Sequence, residues 1–490
     1  MMESSEQEQS VKASSVDELF STVVNGGYCI GCGMCAALSP SVGMQITAYG
    51  QWQPALNRMS QSPGAPNVAE VCPFADGNPN EDELSAVLFP VTAQAHPATG
   101  RYLANYAGHV TQGGFREKGS SGGMATWILC QLLEEGHVDA VVHVGTSEGS
   151  DRNDKELFRF VVSKTAAEVR ARSKSRYYPV EMSGVVQHML ETSGRYAVVG
   201  LPCFIKGLRL ACRQSPVLQS RVAHTVGIVC GHLKSRAFAD MLGWQLGVGP
   251  GSLQSIDFRS KRPNAPANDY AVSVVGDGAD GEVRASAPVA SLFGTDWGLG
   301  LFKYKACDYC DDVLAETADV AIGDAWLPKY VGDSGGTSIV VVRTPFFKGL
   351  IEKGRESGVL QLDELPADQI AQSQDAGLRH RREGLAFRLA EAKSAGTWAP
   401  AKRIKANRDH ISAKQQRIFA LRQRCAEFSH QAFRAARQAG DLSHFKKQMQ
   451  PLLDEYARLY RPGPLRLLSL KWQAAAKKVR RLLGKIPSAR

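Results

Sequence analysis

The feature that most constrains this chain is a run of three cysteines, Cys29, Cys32 and Cys35, in the segment CIGCGMC. Thiolates at this spacing wrap a short loop and converge on one iron-sulfur cubane, and the intervening glycines let the backbone approach the inorganic sulfides. Ser39 stands where a two-cluster ferredoxin would place its next cysteine, so the remote Cys72, which precedes a proline, is the candidate fourth ligand. The alternative is a zinc knuckle, although such a site uses CxxC pairs rather than a triple.

More distant cysteines supply a second candidate site. Cys307 and Cys310 form a CxxC pair that two of the cysteines at 203, 212 and 230 can complete. Cys203 and Cys230 each follow a predicted strand, where the loops of an α/β sheet gather, whereas Cys212 falls within a predicted helix. From spacing alone the pair fits a cluster half-site, a zinc half-site or a thioredoxin-like redox pair, the last disfavoured because the two following aspartates would raise a thiol pKa. The leftover cysteines are interpreted as small apolar residues: Cys130, Cys212 and Cys425.

The middle of the chain alternates short β-branched runs with helical stretches. Strands are predicted at 138–144, 196–200, 222–229, 270–275, 318–323 and 337–342, with helices at 121–135, 180–192 and 204–214. This alternation predicts an α/β fold with a mostly parallel sheet, and a hairpin pattern at 264–283 adds an α+β portion. We divide the chain into a flexible lead (1–25), a ferredoxin-like iron-sulfur module (26–95), an α/β region (96–375) and a basic α-helical C-terminal tail (376–490).

The net charge of +10 for the whole chain arises from the tail. From Arg379 onward Lys and Arg outnumber Asp and Glu by 27 to 7, while the preceding part is mildly acidic, so the charge gives no reason to expect nucleic-acid binding. In the segment PLRLLSLKWQAAAKKVRRLLGKI, apolar residues recur at helical spacing, with most basic residues off the stripe. Such a helix fits peripheral contact with an anionic membrane, and it fits packing on the body or another subunit as well.

A glycine-rich turn, Gly119–Gly123, leads directly into an apolar helical stretch. Exposed N–H groups at a helix start, with glycines that admit close approach, form a site for a diphosphate or a flavin edge; the alternative is an ordinary serine N-cap. If the turn binds a diphosphate or a flavin edge, Gly122→Val should weaken cofactor binding without unfolding the protein.

The eleven cysteines of a chain whose first twenty residues are polar and acidic indicate metal or redox chemistry in a reducing compartment. No apolar run approaches the roughly 18–20 residues that a bilayer crossing needs, so we expect a cytoplasmic protein.

These motifs, in this order, resemble the coenzyme F420 hydrogenase/dehydrogenase beta-subunit family, which includes 7-hydroxymethyl chlorophyll a reductase. The resemblance covers roughly residues 25–345 and rests on CIGCGMC with the later Cys-Pro, SSGGMAT, SKSRYYP, VVGLPCFIKGLR, GIVCGHLKS, FRSK and CDYCDDVLAETADVAIGDAW. It implies two 4Fe-4S clusters and one FAD in a flavin-binding α/β domain. The implied metal ligands are Cys29, Cys32, Cys35, Cys72, Cys203, Cys230, Cys307 and Cys310. The implied FAD contacts are Ser120, Ser121, Gly122, Gly123, Thr126, Lys174, Arg176 and Tyr177.

We therefore expect an oxidoreductase that passes electrons from ferredoxin or another one-electron carrier through the clusters to FAD, and on to an organic substrate or a deazaflavin. Lys206, Arg259 and Asp324 lie beside the shared motifs and are candidates for flavin or substrate contact, or for salt bridges. The alternatives are a non-catalytic electron-transfer subunit of a larger complex and a zinc-binding interaction protein. Assembly into an oligomer is compatible with each reading.

Overall fold

The computed structural model describes residues 15–57, 67–92, 94–147 and 156–460. Its N-terminal part surrounds the first cysteines with short elements: α1 (Ser15–Leu19), α2 (Met34–Leu38), β1 (Val42–Ile46), β2 (Trp52–Leu56) and α3 (Glu81–Leu88). The lead predicted to be flexible is helical from Ser15, which corrects the prediction for residues 15–25. The reason is that Val16, Leu19 and Val23 recur at helical spacing and are buried in the main core.

Strands and helices then alternate along the chain. The strands are β3 (Gln94–His96), β4 (Gly100–Tyr102), β5 (Ala104–Val110), β6 (Ala140–Thr146), β7 (Phe158–Ser163), β8 (Tyr196–Gly200), β9 (Val222–Ile228), β10 (Leu253–Ser260), β11 (Ala271–Gly278), β12 (Gly281–Pro288), β13 (Val320–Asp324), β14 (Ser338–Val342) and β15 (Leu360–Glu364). The helices between them are α4 (Phe115–Lys118), α5 (Met124–Glu134), α6 (Ala166–Ala171), α7 (Ser183–Glu191), α8 (Pro202–Gln214), α9 (Pro216–Arg221), α10 (Arg236–Gln245), α11 (Pro328–Val331) and α12 (Pro345–Glu356).

Eight strands form one mixed sheet in the order β15-β5-β14-β13-β9-β8-β6-β7. The four central strands β13, β9, β8 and β6 are mutually parallel, as predicted, while the pairings toward both edges are antiparallel. Successive residues of a strand enter opposite cores, as Val141 and Val142 illustrate, so helices cover both faces. The predicted hairpin is formed by β11 and β12 in a separate three-stranded antiparallel sheet with β10.

The chain ends in a helical region: α13 (Ala367–Ser373), α14 (Asp375–Arg381), α15 (Glu383–Ser394), α16 (Ala413–Ala439) and α17 (Leu442–Tyr460). Its apolar residues, among them Leu385, Phe433 and Phe445, belong to the same core cluster as the first cysteines and the sheet. The elements within residues 376–460 are all helices, as predicted, with a non-helical stretch at 395–412, but they pack into the body. The apolar stripe predicted for 465–486 lies outside the described residues.

No helix in the described ranges has both the length and the apolarity needed to cross a bilayer.

Candidate functional site

The first cysteine set converges on one small cavity, which Cys29, Cys32, Cys35 and Cys72 all line. Apolar side chains make up most of the remaining wall: Leu19, Val23, Val24, Ile30, Met34, Met44, Val71 and Phe74. Burial is the main reason that the pKa of each thiol is raised, and neighbouring thiols add to the shift at Cys29, Cys32 and Cys35; the pKa of Cys32 rises to about 12. Four converging thiols that need a positive partner to ionise are the donor set that an iron-sulfur cluster requires.

One glycine of this loop, Gly33, has a packing role that the sequence did not reveal. Gly33 has φ +83° and a Cβ on it would lie 2.4 Å from Glu181 Oε2, so it allows the loop to turn against the segment before α7.

The second set also comes together. Cys203 lies in the first turn of α8, and Cys230 follows β9. Cys307 lies within the short 3-10 helix Lys305–Tyr309, and Cys310 directly follows it. The pKa of the Cys203 thiol is raised well above its usual range by burial and then by Cys310, Cys230 and Cys307, so the four thiols are close enough to interact electrostatically. The Leu233 amide donates to Cys307 Sγ at 3.3 Å. The three remaining cysteines are buried elsewhere among apolar residues, as predicted.

Neither set has the tighter geometry of a mononuclear site. Within the described residues, no three His, Cys, Asp or Glu side chains are placed to hold a single metal ion. A cubane uses a wider arrangement, because each of its four thiolates binds a different iron. None of the described cysteines forms a disulfide.

A cavity of about 290 Å³ opens at the carboxyl ends of β8, β9 and β13, beside the glycine-rich turn. Ligand sites of α/β sheets form at this edge. Of the predicted FAD contacts, all but one line it: Ser120, Ser121, Gly123, Thr126, Lys174, Arg176 and Tyr177. The same cavity is lined by Cys230 of the second set.

Gly122 is the exception. A Cβ there would meet Gly108 O at 2.5 Å and the Ser338 amide at 2.9 Å, so this residue packs on β5 and β14 and does not line the cavity. The expectation that valine at this position would spare the fold is therefore corrected.

Several buried polar groups of the cavity have no hydrogen-bond partner, namely Arg176 Nε, Arg259 Nε and His232 Nε2. Lys174, with φ 136°, pairs with Asp257 at 3.0 Å. Orphaned donors and a strained backbone at a cavity are features of a ligand site, and the cationic groups suit a diphosphate, so the residues present fit FAD.

The cavity is also lined by five residues that the sequence analysis did not single out: His143, Ser175, His232, Lys234 and Trp297. His143 Nε2 lies 2.8 Å from Ser163 Oγ, and burial, followed by the charge of Arg172, lowers the His143 pKa to about 4. His232 stacks on Trp297 with ring centroids 4.3 Å apart. For His232 and Lys234, the available signal was their position in the GIVCGHLKS motif.

Of the three candidates for flavin or substrate contact that lie beside the shared motifs, two line the cavity. Arg259 and Asp324 form a bidentate pair at 2.7 and 3.0 Å in its wall. Lys206 instead forms a buried ion pair with Glu81 at 3.2 Å, away from the cavity.

Helix α8 connects the two cysteine sets with the cavity. It begins beside Leu201 and Phe204, which line the cavity, and carries Cys203 of the second set. One turn later, a Cβ on Gly207 would lie 3.7 Å from Cys32 Sγ of the first set. The charge of Cys32 also contributes to the raised pKa of Cys203, so the two sets are neighbours across this helix.

Residues 105–187 and 193–368 match the N-terminal and C-terminal parts of the coenzyme F420 hydrogenase/dehydrogenase beta subunit. These ranges span more than half of the chain. The chain belongs to this family. The first cysteine set and the helices after α13 lie outside both ranges.

Among the relatives of this family member, an uncharacterised protein of Methanocaldococcus jannaschii is 26% identical over 247 residues, 50% of this chain and 81% of that protein. The coenzyme F420-dependent sulfite reductase of the same organism is 23% identical over 350 residues, 68% of this chain but only 46% of the reductase. A chain of the F420-reducing [NiFe] hydrogenase complex from Methanosarcina barkeri matches with a TM-score of 0.45 and 19% identity, covering 63% of this chain and 98% of its own.

Proposed function

We propose that the chain is an iron-sulfur flavoprotein oxidoreductase. It would take single electrons from a carrier such as ferredoxin, pass them through two 4Fe-4S clusters to FAD, and reduce an organic substrate or a deazaflavin. The observation that carries the proposal is helix α8, which touches both cysteine sets and the cavity. Clusters carry one electron at a time and FAD carries out two-electron chemistry, so the three sites in this order couple a one-electron donor to an organic acceptor.

In this proposal the cysteines of each set hold one cluster. Leu19, Met34 and Phe74 would exclude water from the cluster held by the first set. This exclusion of water and the nearby protein charges would together set the reduction potential of that cluster. Lys206 and Glu81 cancel one another's charge beside the sets, since both are buried and paired.

Seven side chains and backbone groups of the cavity would hold FAD: Ser120, Ser121, Gly123, Thr126, Lys174, Arg176 and Tyr177. Lys174 and Arg176 provide positive charge for the diphosphate, and the partnerless Nε of Arg176 provides a donor. His143 is neutral at pH 7, because its pKa is about 4, and so adds no charge to the cavity.

The test is the cofactor content of the full chain purified without oxygen. We expect about eight iron atoms and one FAD per chain, and Cys32→Ser should lose about half of the iron while it retains the flavin. Cys212→Ser is the matched control, since Cys212 lies on α8 but belongs to neither set, and it should retain all the iron.

Zinc in place of iron in the wild-type protein would reject the proposal. Fully loaded protein that accepts electrons from a chemical one-electron donor, yet reduces no flavin or quinone acceptor, would favour the electron-transfer subunit over the enzyme.

A further inference from the structure

The last residue of helix α14, Arg381, lies against the second cysteine set. Its side chain is buried, with 2% of the residue exposed, and it comes from the region that follows the family match. Arg381 Nη2 donates to the carbonyl oxygens of Gly231 at 2.8 Å and Cys230 at 3.2 Å, and lies 3.8 Å from Cys230 Sγ. A residue some 150 positions away in sequence thus holds the loop that joins the second set to the cavity.

Burial opposes the charge of this guanidinium, yet the thiols of Cys310, Cys230, Cys307 and Cys203 together raise its pKa. Of these four, Cys230 is in direct contact with Arg381.

Arg381 has no carboxylate partner among the described residues, a property that it shares with the fully buried Arg343 but not with Arg388 or Arg403. Arg343 donates only to backbone carbonyls, whereas Arg381 also reaches a thiol. Arg388 lies 3.7 Å from Asp308 Oδ1, and Arg403 pairs with Glu316 at 2.5 Å, whereas Arg381 donates only to carbonyls and the thiol, and its Nε has no partner. An unpaired buried charge costs several kcal/mol, and an anion beside it offsets part of that cost. The thiolates of a bound cluster are that anion.

The first set has a weaker counterpart. Lys402 contributes positive charge near Cys72, but its side chain is only half-buried and bonds to Pro73 O at 3.3 Å. Solvent screens such a charge more than that of Arg381.

We propose that Arg381 is a positioning residue that raises the reduction potential of the cluster held by Cys203, Cys230, Cys307 and Cys310 above that of the first cluster. One-electron reduction adds a negative charge to this cluster, and a buried cation beside its sulfurs stabilises the reduced form more than the oxidised form. One electron would move from the first cluster, which is thereby oxidised, to the second cluster, which is thereby reduced, and no bond forms or breaks. Arg381 thereby directs electrons toward the cavity. This inference rests on the proposed function.

The experiment is a redox titration of the full chain without oxygen, followed by electron paramagnetic resonance, with Cys32→Ser used to assign the signal of the second cluster. In Arg381→Gln we expect the equilibrium constant for one-electron reduction of that cluster to fall at least tenfold, which is a potential about 59 mV lower. Arg381→Lys, which keeps the charge, should shift the potential less at equal iron content. The signal of the first cluster should stay in place in both variants.

Arg379→Gln is the matched control. It removes the same charge from the same helix, but Arg379 is 47% exposed and pairs with Asp375 at 2.7 Å, so no shift is expected. A fully loaded Arg381→Gln protein with the wild-type potential would overturn the inference. If that variant holds too little iron to titrate, Arg381→Met is judged by the same criterion. Wild-type protein without any cluster signal would instead overturn the proposed function.

Discussion

At the scale of single residues, the cavity holds a histidine whose protonation opposes folding. Burial lowers the pKa of His143 to about 4, whereas an exposed histidine titrates near 6.5. Between these two values the unfolded chain binds the proton and the folded chain does not, so stability falls as the pH decreases through this window.

We predict that His143→Gln removes this part of the pH dependence. The wild type should lose about 3 kcal/mol of stability through His143 between pH 6.5 and pH 4. Chemical denaturation of both proteins at pH 7 and pH 5 measures the difference. If both proteins lost the same stability between pH 7 and pH 5, the folded protein would bind the proton at His143 as readily as the unfolded chain, which would contradict the prediction.

Gly122 is a residue whose role follows from packing against the sheet. Because a Cβ would press on Gly108 O and the Ser338 amide, which are backbone atoms that cannot turn aside, we predict that Gly122→Val destabilises the protein by about 1–3 kcal/mol or more. Ser120→Ala, which removes the acceptor of the Ser175 amide at the cavity, should fold normally and bind FAD more weakly. Melting temperature and flavin content of both variants separate the two effects; a stable, flavin-depleted Gly122→Val protein would contradict the packing role.

At the scale of elements, helix α8 depends on a close approach to the first cysteine set. A Cβ on Gly207 would lie 3.1 Å from Met34 Cγ and 3.7 Å from Cys32 Sγ. We predict that Gly207→Leu displaces the loop that carries Cys32 and lowers the iron content toward half, while Gly207→Ala is tolerated because the Met34 side chain can shift.

Gly349 on α12 offers the control for this change. It is also a helical glycine, but no atom lies within 4 Å of a Cβ placed there, so Gly349→Leu should leave the iron content unchanged. Full iron content in Gly207→Leu would mean that the contact between α8 and the first set is dispensable.

At the scale of the whole molecule, the C-terminal helices close both cysteine sites. Trp398 Nε1 donates to Asp76 Oδ2 at 3.1 Å and the Trp398 carbonyl accepts from Tyr28 Oη at 2.8 Å, which ties the segment after α15 to the first cysteine module. Arg381 ties α14 to the second set.

We predict that a chain ending at Ser373 loses iron from both sites and aggregates, because it exposes the core surface that Leu385, Phe433 and Phe445 cover. A chain ending at Pro462 should retain the full iron content and melting temperature. Co-sedimentation of this second chain and the full chain with anionic vesicles also tests the predicted apolar stripe of residues 465–486. Normal iron content in the chain ending at Ser373 would contradict the closing role.

Sequence spacing determined much of the candidate site. The CIGCGMC run can close only a short loop, so convergence of three thiols follows from local geometry, and Cys203 and Cys230 follow strands whose carboxyl ends meet at one edge of the sheet. Alternating and helical periodicity likewise located the central strands and helices, because each face of these elements is buried in a regular way. The strands β5, β7 and β15 were not predicted. The position of β5 and β15 is set by antiparallel pairing between segments that are distant in sequence.

Only the tertiary structure decided which distant residues meet. Nothing in the spacing of Arg381 relates it to Cys230, and nothing in SSGGMAT separates Gly122, which packs on the sheet, from its neighbours, which line the cavity. The basic C-terminal region has the composition of a solvated tail, yet its apolar residues pack into the main core and bring buried cations to acidic and thiol groups. Local patterns describe what one segment can form, whereas contacts between remote segments depend on how their buried faces fit together in three dimensions.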